Sequence, residues 1–166
     1  MNPSTVIGDS RTGETPQTLG LGVTVLDLLA GRMPVLPGGR NTFVPAITVD
    51  YLAAFTTLLP TLAETAGQSY WVLDDKTPAL PELLRGIGNH HGVSFPRIRV
   101  PVALLKWLPT AVTRADPKTL NFLSADRYPT AAAEALADEQ GLTRPDVMES
   151  LLRWSHHLLA QHQRQG

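Results

Sequence analysis

The distribution of proline and glycine limits how long any one secondary-structure element of this chain can be. The 166 residues include 14 Pro and 13 Gly, and both are spread along the whole length instead of being concentrated in one linker. Proline removes a backbone donor and glycine readily adopts positive φ, so each tends to end a helix or strand. Because 43% of the residues are hydrophobic, these stops separate short buried elements. The sequence predicts an α/β fold, a small mixed domain of short strands and about five to six helices, with residues 1–166 as a single domain.

The charge balance and the lack of cysteine exclude several classes of function. Lys and Arg number 14 against 15 Asp and Glu, for a formal charge of −1, so the chain has no long-range field to attract nucleic acid or an anionic membrane. Without Cys, disulfides, thiolate catalysis and Cys-ligated zinc are excluded. No apolar run approaches the roughly 20 residues that a membrane-spanning helix needs. We therefore expect no nucleic-acid or membrane partner, and a cytoplasmic location as the default.

Hydrophobic periodicity predicts the helices. The first should cover about residues 17–30 and stop at Gly31, because glycine often ends a helix. A second should begin at Asp50 as its N-cap and kink or end at Pro60. A third, capped by Thr77, should stop at Gly92. The expected core face of the first helix is Leu19, Val23, Leu26 and Ala30, widened by Leu21, Val25, Leu28 and Leu29.

Further helices are predicted in the second half of the chain. One should open at Pro101, and another, short and capped, should begin near Ala131. The last should begin at Thr143 and Asp146, which together have the pattern of a capping box.

Runs of β-branched and aromatic residues predict four strands. They are Val6–Ile7, Thr42–Val49, Ser69–Asp74 and Phe95–Val100. Pro45 places the second of them at an edge or bulge, since proline cannot donate to a ladder. The third is the most regular, and we expect it to be central.

The most informative motif spans residues 2–14, N-P-S-T-V-I-G-D-S-R-T-G-E. Its pattern, N-P-S-T-V-I-G-D-S-x-T-G, resembles the segment after the Tyr-x-x-x-Lys helix in extended short-chain dehydrogenases/reductases, where it usually reads R-P-x-x-V-x-G. In that family the strand end lines the nicotinamide pocket, and the residues after it build the smaller substrate-binding half. The resemblance implies the C-terminal portion of that fold and NAD or NADP as cofactor. It also implies cofactor contacts at Pro3, Ser4, Thr5 and Val6, and substrate contacts at Asp9, Ser10, Arg11, Thr12 and Phe43.

Later segments resemble the same family in the same order. T-V-D-Y-L-A-A at residues 48–54 is similar to the V-D-D-V-A or V-D-Y-V-A block. It departs from the family because Ala46-Ile47-Thr48 interrupts the usual F-V-P-V-D, which affects the expected position of Phe43. The segment from Tyr128 to Leu136 is similar to the late F-D-T-S-R-A-x-x-x-L segment.

The two motifs that carry catalysis in this family are absent from the chain. Gly20-Leu-Gly22 and Gly86-Ile-Gly88 lack the third glycine of G-x-G-x-x-G and do not follow a strand. No tyrosine has a lysine four residues later; those positions are Phe55, Asp74 and Ala132. We therefore expect no catalytic residue in this chain.

Two adjacent histidine pairs raise the possibility of a metal site. His90-His91 and His156-His157 are neighbours in sequence, and helical neighbours point about 100° apart. Chelation from one helix needs i, i+4 spacing, which is not present. We expect no metal.

Two hypotheses for function follow. The first is the substrate-binding portion of an NAD(P)-dependent oxidoreductase that acts on an apolar aldehyde, ketone or acyl thioester and is not catalytic alone. Its partners would be a small-molecule substrate and a missing N-terminal Rossmann half, or a second copy through exposed apolar surface. The alternative is a free-standing ligand-binding or protein-interaction module that retains the fold without catalysis.

Overall fold

The structure is a computed structural model that describes residues 1–96, 98–100 and 125–165. Within these ranges it contains five α-helices and six short β-strands, which confirms the predicted small mixed α/β class. The chain forms two compact units. The first comprises Met1–Pro16, Pro45–Thr77 and Arg127–Gly166, and the second comprises Gln17–Val44 and Pro78–Asp126. The single domain over residues 1–166 stays a prediction.

Two parallel strand pairs belong to the first unit. Strand β1 (Asn2–Pro3) pairs with β5 (Trp71–Val72), and β2 (Thr5–Ile7) pairs with β4 (Ala46–Thr48), with Val6 opposite Ile47. Of the strand predicted over residues 69–74, two residues form a strand, Trp71 and Val72. Among the described residues, this strand pairs with β1 alone. It therefore does not have the central position that its composition predicted.

Two helices bury the apolar side chains of these strands. Helix α2 (Val49–Leu58) follows β4 directly, ends just before Pro60 as predicted, and continues as a 3₁₀ turn. Helix α4 (Ala131–Glu139) packs near β5. Phe55 is fully buried and meets the Tyr70 ring edge-on at 5.9 Å. The shared core consists of Ile47, Tyr51, Phe55, Tyr70, Val72, Ala133, Leu136 and Ala137.

Helix α5 (Val147–Gln165) completes the first unit and packs against β4. Asp146 is the N-cap residue of this helix, since its Oδ1 accepts a hydrogen bond from the Glu149 N–H at 2.8 Å. The predicted capping box would have placed Thr143 at the N-cap instead. Leu151, Trp154 and Leu158 are at most 2% exposed, so one face of this long helix is fixed in the core.

Arg144 joins three elements of the first unit. Its guanidinium lies 3.1 Å from Glu134 Oε1 on α4, 3.4 Å from Asp74 Oδ1 after β5, and 3.6 Å from Asp75 Oδ1. Burial disfavours the charged form, but the hydrogen bond to Glu134 keeps the pKa of Arg144 above its ordinary value. The cluster fixes the segment that leads into α5.

The second unit contains helices α1 (Leu21–Leu29) and α3 (Leu80–His90) and the parallel pair β3 (Leu36–Pro37) and β6 (Arg99–Val100). The two helices approach closely at Gly88, where a Cβ would lie 3.3 Å from the Val93 carbonyl oxygen and 3.8 Å from Leu28 Cδ2. Gly31 has φ +66° and follows the end of α1, as predicted.

The buried face of α1 differs from the predicted one. Leu21, Val25 and Leu28 are buried, whereas Leu19 and Val23 are 71% and 46% exposed. Both sets have helical spacing, so periodicity alone could not choose between them. The positive φ of Gly20 delays the helix to Leu21, which leaves Leu19 outside it.

Thr77 does not have its predicted role as the cap of α3, because the N-cap residue of that helix is Ala79. Its hydroxyl instead donates to the Asp74 carbonyl at 2.6 Å and accepts from the Ala46 N–H at 3.1 Å. The helix predicted from Pro101 lies outside the described residues.

Replacing Phe55 by Ala should destabilise the protein by about 3–5 kcal/mol, because a fully buried aromatic ring is lost and a cavity remains. The free energy of unfolding from urea titration measures this loss. The matched control Ala53→Ser changes an exposed residue of the same helix and should stay within about 0.5 kcal/mol of wild type. Equal effects of both changes would contradict the core described above.

Candidate functional site

Four of the five residues predicted to contact substrate lie in a closed loop after β2, which we call the Asp9 loop (residues 8–14). They are Asp9, Ser10, Arg11 and Thr12. The Asp9 N–H donates to the Glu14 carbonyl at 2.9 Å, and the Gly13 N–H donates to the Asp9 carbonyl at 2.8 Å. These two backbone bonds join the ends of the loop, so its conformation is defined before any ligand binds.

The Asp9 side chain organises the interior of the loop. Its Oδ1 accepts hydrogen bonds from the N–H groups of Thr12 and Arg11, both at 2.9 Å, and from the Thr12 hydroxyl at 3.3 Å. The backbone hydrogen bonds from Thr12 and Arg11 hold the pKa of Asp9 below its ordinary value. In the described structure, Asp9 Oδ1 and the Thr12 hydroxyl therefore hold the loop itself.

Asp50 anchors the Asp9 loop to helix α2. Its Oδ1 accepts a hydrogen bond from the Ser10 N–H at 2.9 Å, and its Oδ2 accepts one from the Ser10 hydroxyl at 2.7 Å. Burial would raise the pKa of Asp50, but the hydrogen bonds from Ser10 keep it below its ordinary value. The predicted N-cap role is wrong: Thr48 is the N-cap residue, and both Asp50 oxygens engage Ser10.

Arg153 holds the same residue from helix α5. Its Nη1 donates to the Ser10 carbonyl oxygen at 2.7 Å, and its Nη2 pairs with Glu149 one turn earlier on the helix. The N–H, hydroxyl and carbonyl of Ser10 are thus all engaged, and the residue is 6% exposed. Ser10 positions the loop and presents almost no surface to a ligand.

Two glycines allow the loop to lie against α5. A Cβ on Gly8 would lie 2.2 Å from the Gly13 carbonyl oxygen and 2.8 Å from Trp154 Cδ1. Gly13 has φ +73°, and its Cβ would lie 2.5 Å from the Arg153 carbonyl oxygen. A larger residue at either position would push the loop away from the helix.

Arg11 differs from the other predicted substrate residues in the loop. Its backbone N–H is fixed by Asp9, while its side chain is exposed. No hydrogen bond or ion pair joins its guanidinium to any residue that the structure describes. Of the four predicted loop residues, Arg11 therefore has the functional group most available to a ligand.

The predicted cofactor residues lie beside this loop in the first unit. Pro3 and Val6 are exposed, Val6 by 41%. Ser4 and Thr5 are half-buried, and the Ser4 hydroxyl oxygen is buried with no hydrogen-bond partner among the described residues. Phe43, the fifth predicted substrate residue, belongs to the second unit and is 2% exposed. The roles of all these residues stay predictions.

Sequence reasoning missed the two residues that hold Ser10. Arg153 follows Ser10 by 143 positions, and no local pattern links them. Asp50 had a visible signal, a carboxylate at the start of a helix, but a helix start suggested a cap first.

The comparisons with known proteins place the fold but give no family. No family model matches the sequence, and no curated protein matches it significantly. The structure described as "Crystal structure of gox2253" has a TM-score of 0.61 and 21% identity, covering 98% of this chain and 49% of that chain. The terminal R domain from the myxalamid PKS-NRPS biosynthetic pathway has a TM-score of 0.70 and 17% identity, covering 98% of this chain and 44% of that chain.

The chain thus spans about half the length of these two solved structures. At such identities the likeness concerns fold alone. This protein therefore has a fold similar to part of each of these two structures.

Gly13→Ala should cost about 2–4 kcal/mol of unfolding free energy, because positive φ strain adds to a clash with the α5 backbone. The matched control is Gly141→Ala, where φ is +66° and no atom lies within 4 Å of the added Cβ. It should cost about 1–2 kcal/mol, from φ strain alone. Equal losses in urea titrations would mean that the loop does not pack on α5.

The stabilisation by Asp50 should depend on pH. Asp50→Ala should lose about 1.5–3 kcal/mol at pH 7, since two hydrogen bonds to a carboxylate disappear. The folded-state pKa is lowered, so this stabilisation is present above the unfolded value of about 3.9 and is lost as pH falls through the folded pKa. The difference in unfolding free energy between wild type and variant, measured at intervals of about one pH unit, should therefore be constant above about pH 5 and shrink as the pH falls below about 4. A constant difference would contradict an ionised anchor.

Proposed function

We propose that this chain supplies the substrate-binding portion of an NAD(P)-dependent oxidoreductase of the extended short-chain dehydrogenase/reductase type. Its substrate class is an apolar aldehyde, ketone or acyl thioester. The chain binds and orients the substrate and does not perform hydride transfer alone.

The Asp9 loop carries this proposal. The segment with the N-P-S-T-V-I-G-D-S-x-T-G pattern is a preformed loop at the end of a parallel strand, fixed by Asp50 and Arg153. Binding residues on rigid, preorganised supports lose less entropy when a ligand docks. The match of 98% of the chain to part of an R domain supports the same assignment.

The residues present fit one end of the proposed cofactor. Pro3 and Val6 are exposed, and the buried Ser4 hydroxyl has no partner among the described residues, so this strand end offers both apolar contact and a polar group. NAD(P) would supply the hydride. No G-x-G-x-x-G loop occurs in the sequence to hold the pyrophosphate, so most of the dinucleotide affinity has to come from another polypeptide segment.

An apolar surface on the first unit suits docking of that segment. Met1, Val6 and Val49 are 43%, 41% and 37% exposed. The other exposed residues of α2, Ala53, Thr56 and Thr57, are uncharged, and the Thr56 hydroxyl lies 3.5 Å from Met1 Sδ. Exposed apolar surface often marks a docking site. We propose that a Rossmann half covers this surface, and that two copies of the chain associate through it when that half is absent.

The isolated chain should bind NAD and NADP more weakly than about 10 μM, or about −7 kcal/mol. The reason is the missing pyrophosphate loop, and no Tyr-x-x-x-Lys pair is present to move the proton. Calorimetry with both nucleotides tests binding, and absorbance of the reduced cofactor with a panel of aldehydes and acyl thioesters tests turnover. Tighter binding would show that a dinucleotide site exists within these residues.

The double variant Val6→Lys, Val49→Lys should reduce self-association and the binding of a dye that reports apolar surface, because two charges interrupt the exposed patch. The control Ala135→Lys changes an exposed residue of α4 and should leave both signals unchanged. Light scattering and dye fluorescence give the two readouts. A wild-type chain that is monomeric and binds no dye would favour the free-standing module instead.

A further inference from the structure

The second unit contains an open cavity of about 630 Å³ that the proposed function does not use. It lies between the C-terminal end of α1 and residues 92–96, which follow α3. Small-molecule sites have volumes of roughly 300–1,000 Å³, so this cavity has the size of a ligand site. Gly31 and Gly92 both line it, and a Cβ at either would meet no atom within 4 Å.

The walls of the cavity are polar and apolar in about equal parts. Leu28, Leu29 and Met33 form one side, and Val93 and Phe95 belong to the other. The Arg85 guanidinium lies 5.2 Å from the centre of the Phe95 ring. A cation–π contact of this kind favours that position of the ring.

The polar groups at the cavity include the Ser94 side chain and the backbone carbonyls at the end of α1. The last carbonyls of a helix lack intrahelical partners. Those of Leu26, Asp27 and Leu28 accept from the N–H groups of residues 30–32. Among the described residues, no backbone N–H donates to the carbonyls of Leu29 or Ala30, and both residues line the cavity. The partial negative charge of the helix end strengthens the hydrogen bonds that these carbonyls can accept.

We propose that this cavity binds a small amphiphile with an apolar body and a hydrogen-bond donor, either a hydroxyl or an ammonium group. The apolar body packs against Leu29, Met33 and Phe95, and the donor meets the carbonyls at the end of α1. A carboxylate head group is disfavoured at this end of the cavity, because it would place negative charge against carbonyl oxygens and a helix C-terminus.

Three eight-carbon probes with different head groups test the proposal: octylamine, 1-octanol and octanoate. At pH 7, calorimetry on the full chain should show saturable binding of octylamine and 1-octanol at least tenfold tighter than binding of octanoate. The two donor probes distinguish an ammonium ligand from a neutral alcohol. Equal affinity for all three, or no saturable binding of either donor probe, overturns the proposal.

A matched pair of variants locates the site. Ala30 is exposed and lines the cavity, so both Ala30→Lys and Ala30→Glu should fold. Ala30→Lys supplies its own ammonium group to the helix end and should weaken octylamine binding at least tenfold. Ala30→Glu should retain or strengthen octylamine binding, and Ala135→Lys on α4 should change nothing. Octylamine binding that is unchanged by Ala30→Lys, or lost equally in both Ala30 variants, contradicts this placement.

Discussion

The paired hydrogen bonds between Ser10 and Asp50 determine how the first unit is assembled around its loop. They connect the end of β2 to the first turn of α2, at 2.7 and 2.9 Å. Arg153 adds the connection to α5 through the Ser10 carbonyl. Because three elements meet at one residue that is almost fully buried, the loop moves only if these contacts break together. A rigid loop of this kind can present Arg11 to a ligand at little entropic cost.

The polar side chains of the Asp9 loop bond within the protein, and the substrate contacts that the family resemblance implies for this loop stay predictions. Asp9 and Thr12 bond to each other and to the backbone, and Ser10 bonds to Asp50. Their polar atoms maintain the shape of the loop. Gly8 and Gly13 are needed for close contact with α5. The segment D-S-x-T-G thus determines the loop structure. Arg11, which occupies the x position, has an exposed side chain.

Sequence reasoning succeeded where the determinants are local. Gly31 follows α1, as the stop pattern predicts, and α5 begins directly after Asp146, one of the two residues of its predicted capping box. It failed where two local readings were equally good or where the partner is distant. On α1, two apolar stripes have the same period, and tertiary packing selected Leu21, Val25 and Leu28. Asp50 and Thr77 were both expected to cap a helix. Instead, the Asp50 carboxylate accepts a hydrogen bond from the Ser10 N–H and the Thr77 hydroxyl accepts one from the Ala46 N–H. These bonds to distant segments satisfy buried polar groups.

Amide hydrogen exchange of Ser10 tests the rigidity of the Asp9 loop most directly. The Ser10 N–H donates to Asp50 and the residue is 6% exposed, so its exchange should be slowed to a degree comparable with the buried core of α5 near Leu151. In Asp50→Ala the Ser10 amide should exchange much faster while Leu151 remains protected. Exchange of Ser10 at the rate of an unprotected loop in the wild-type protein would contradict the account.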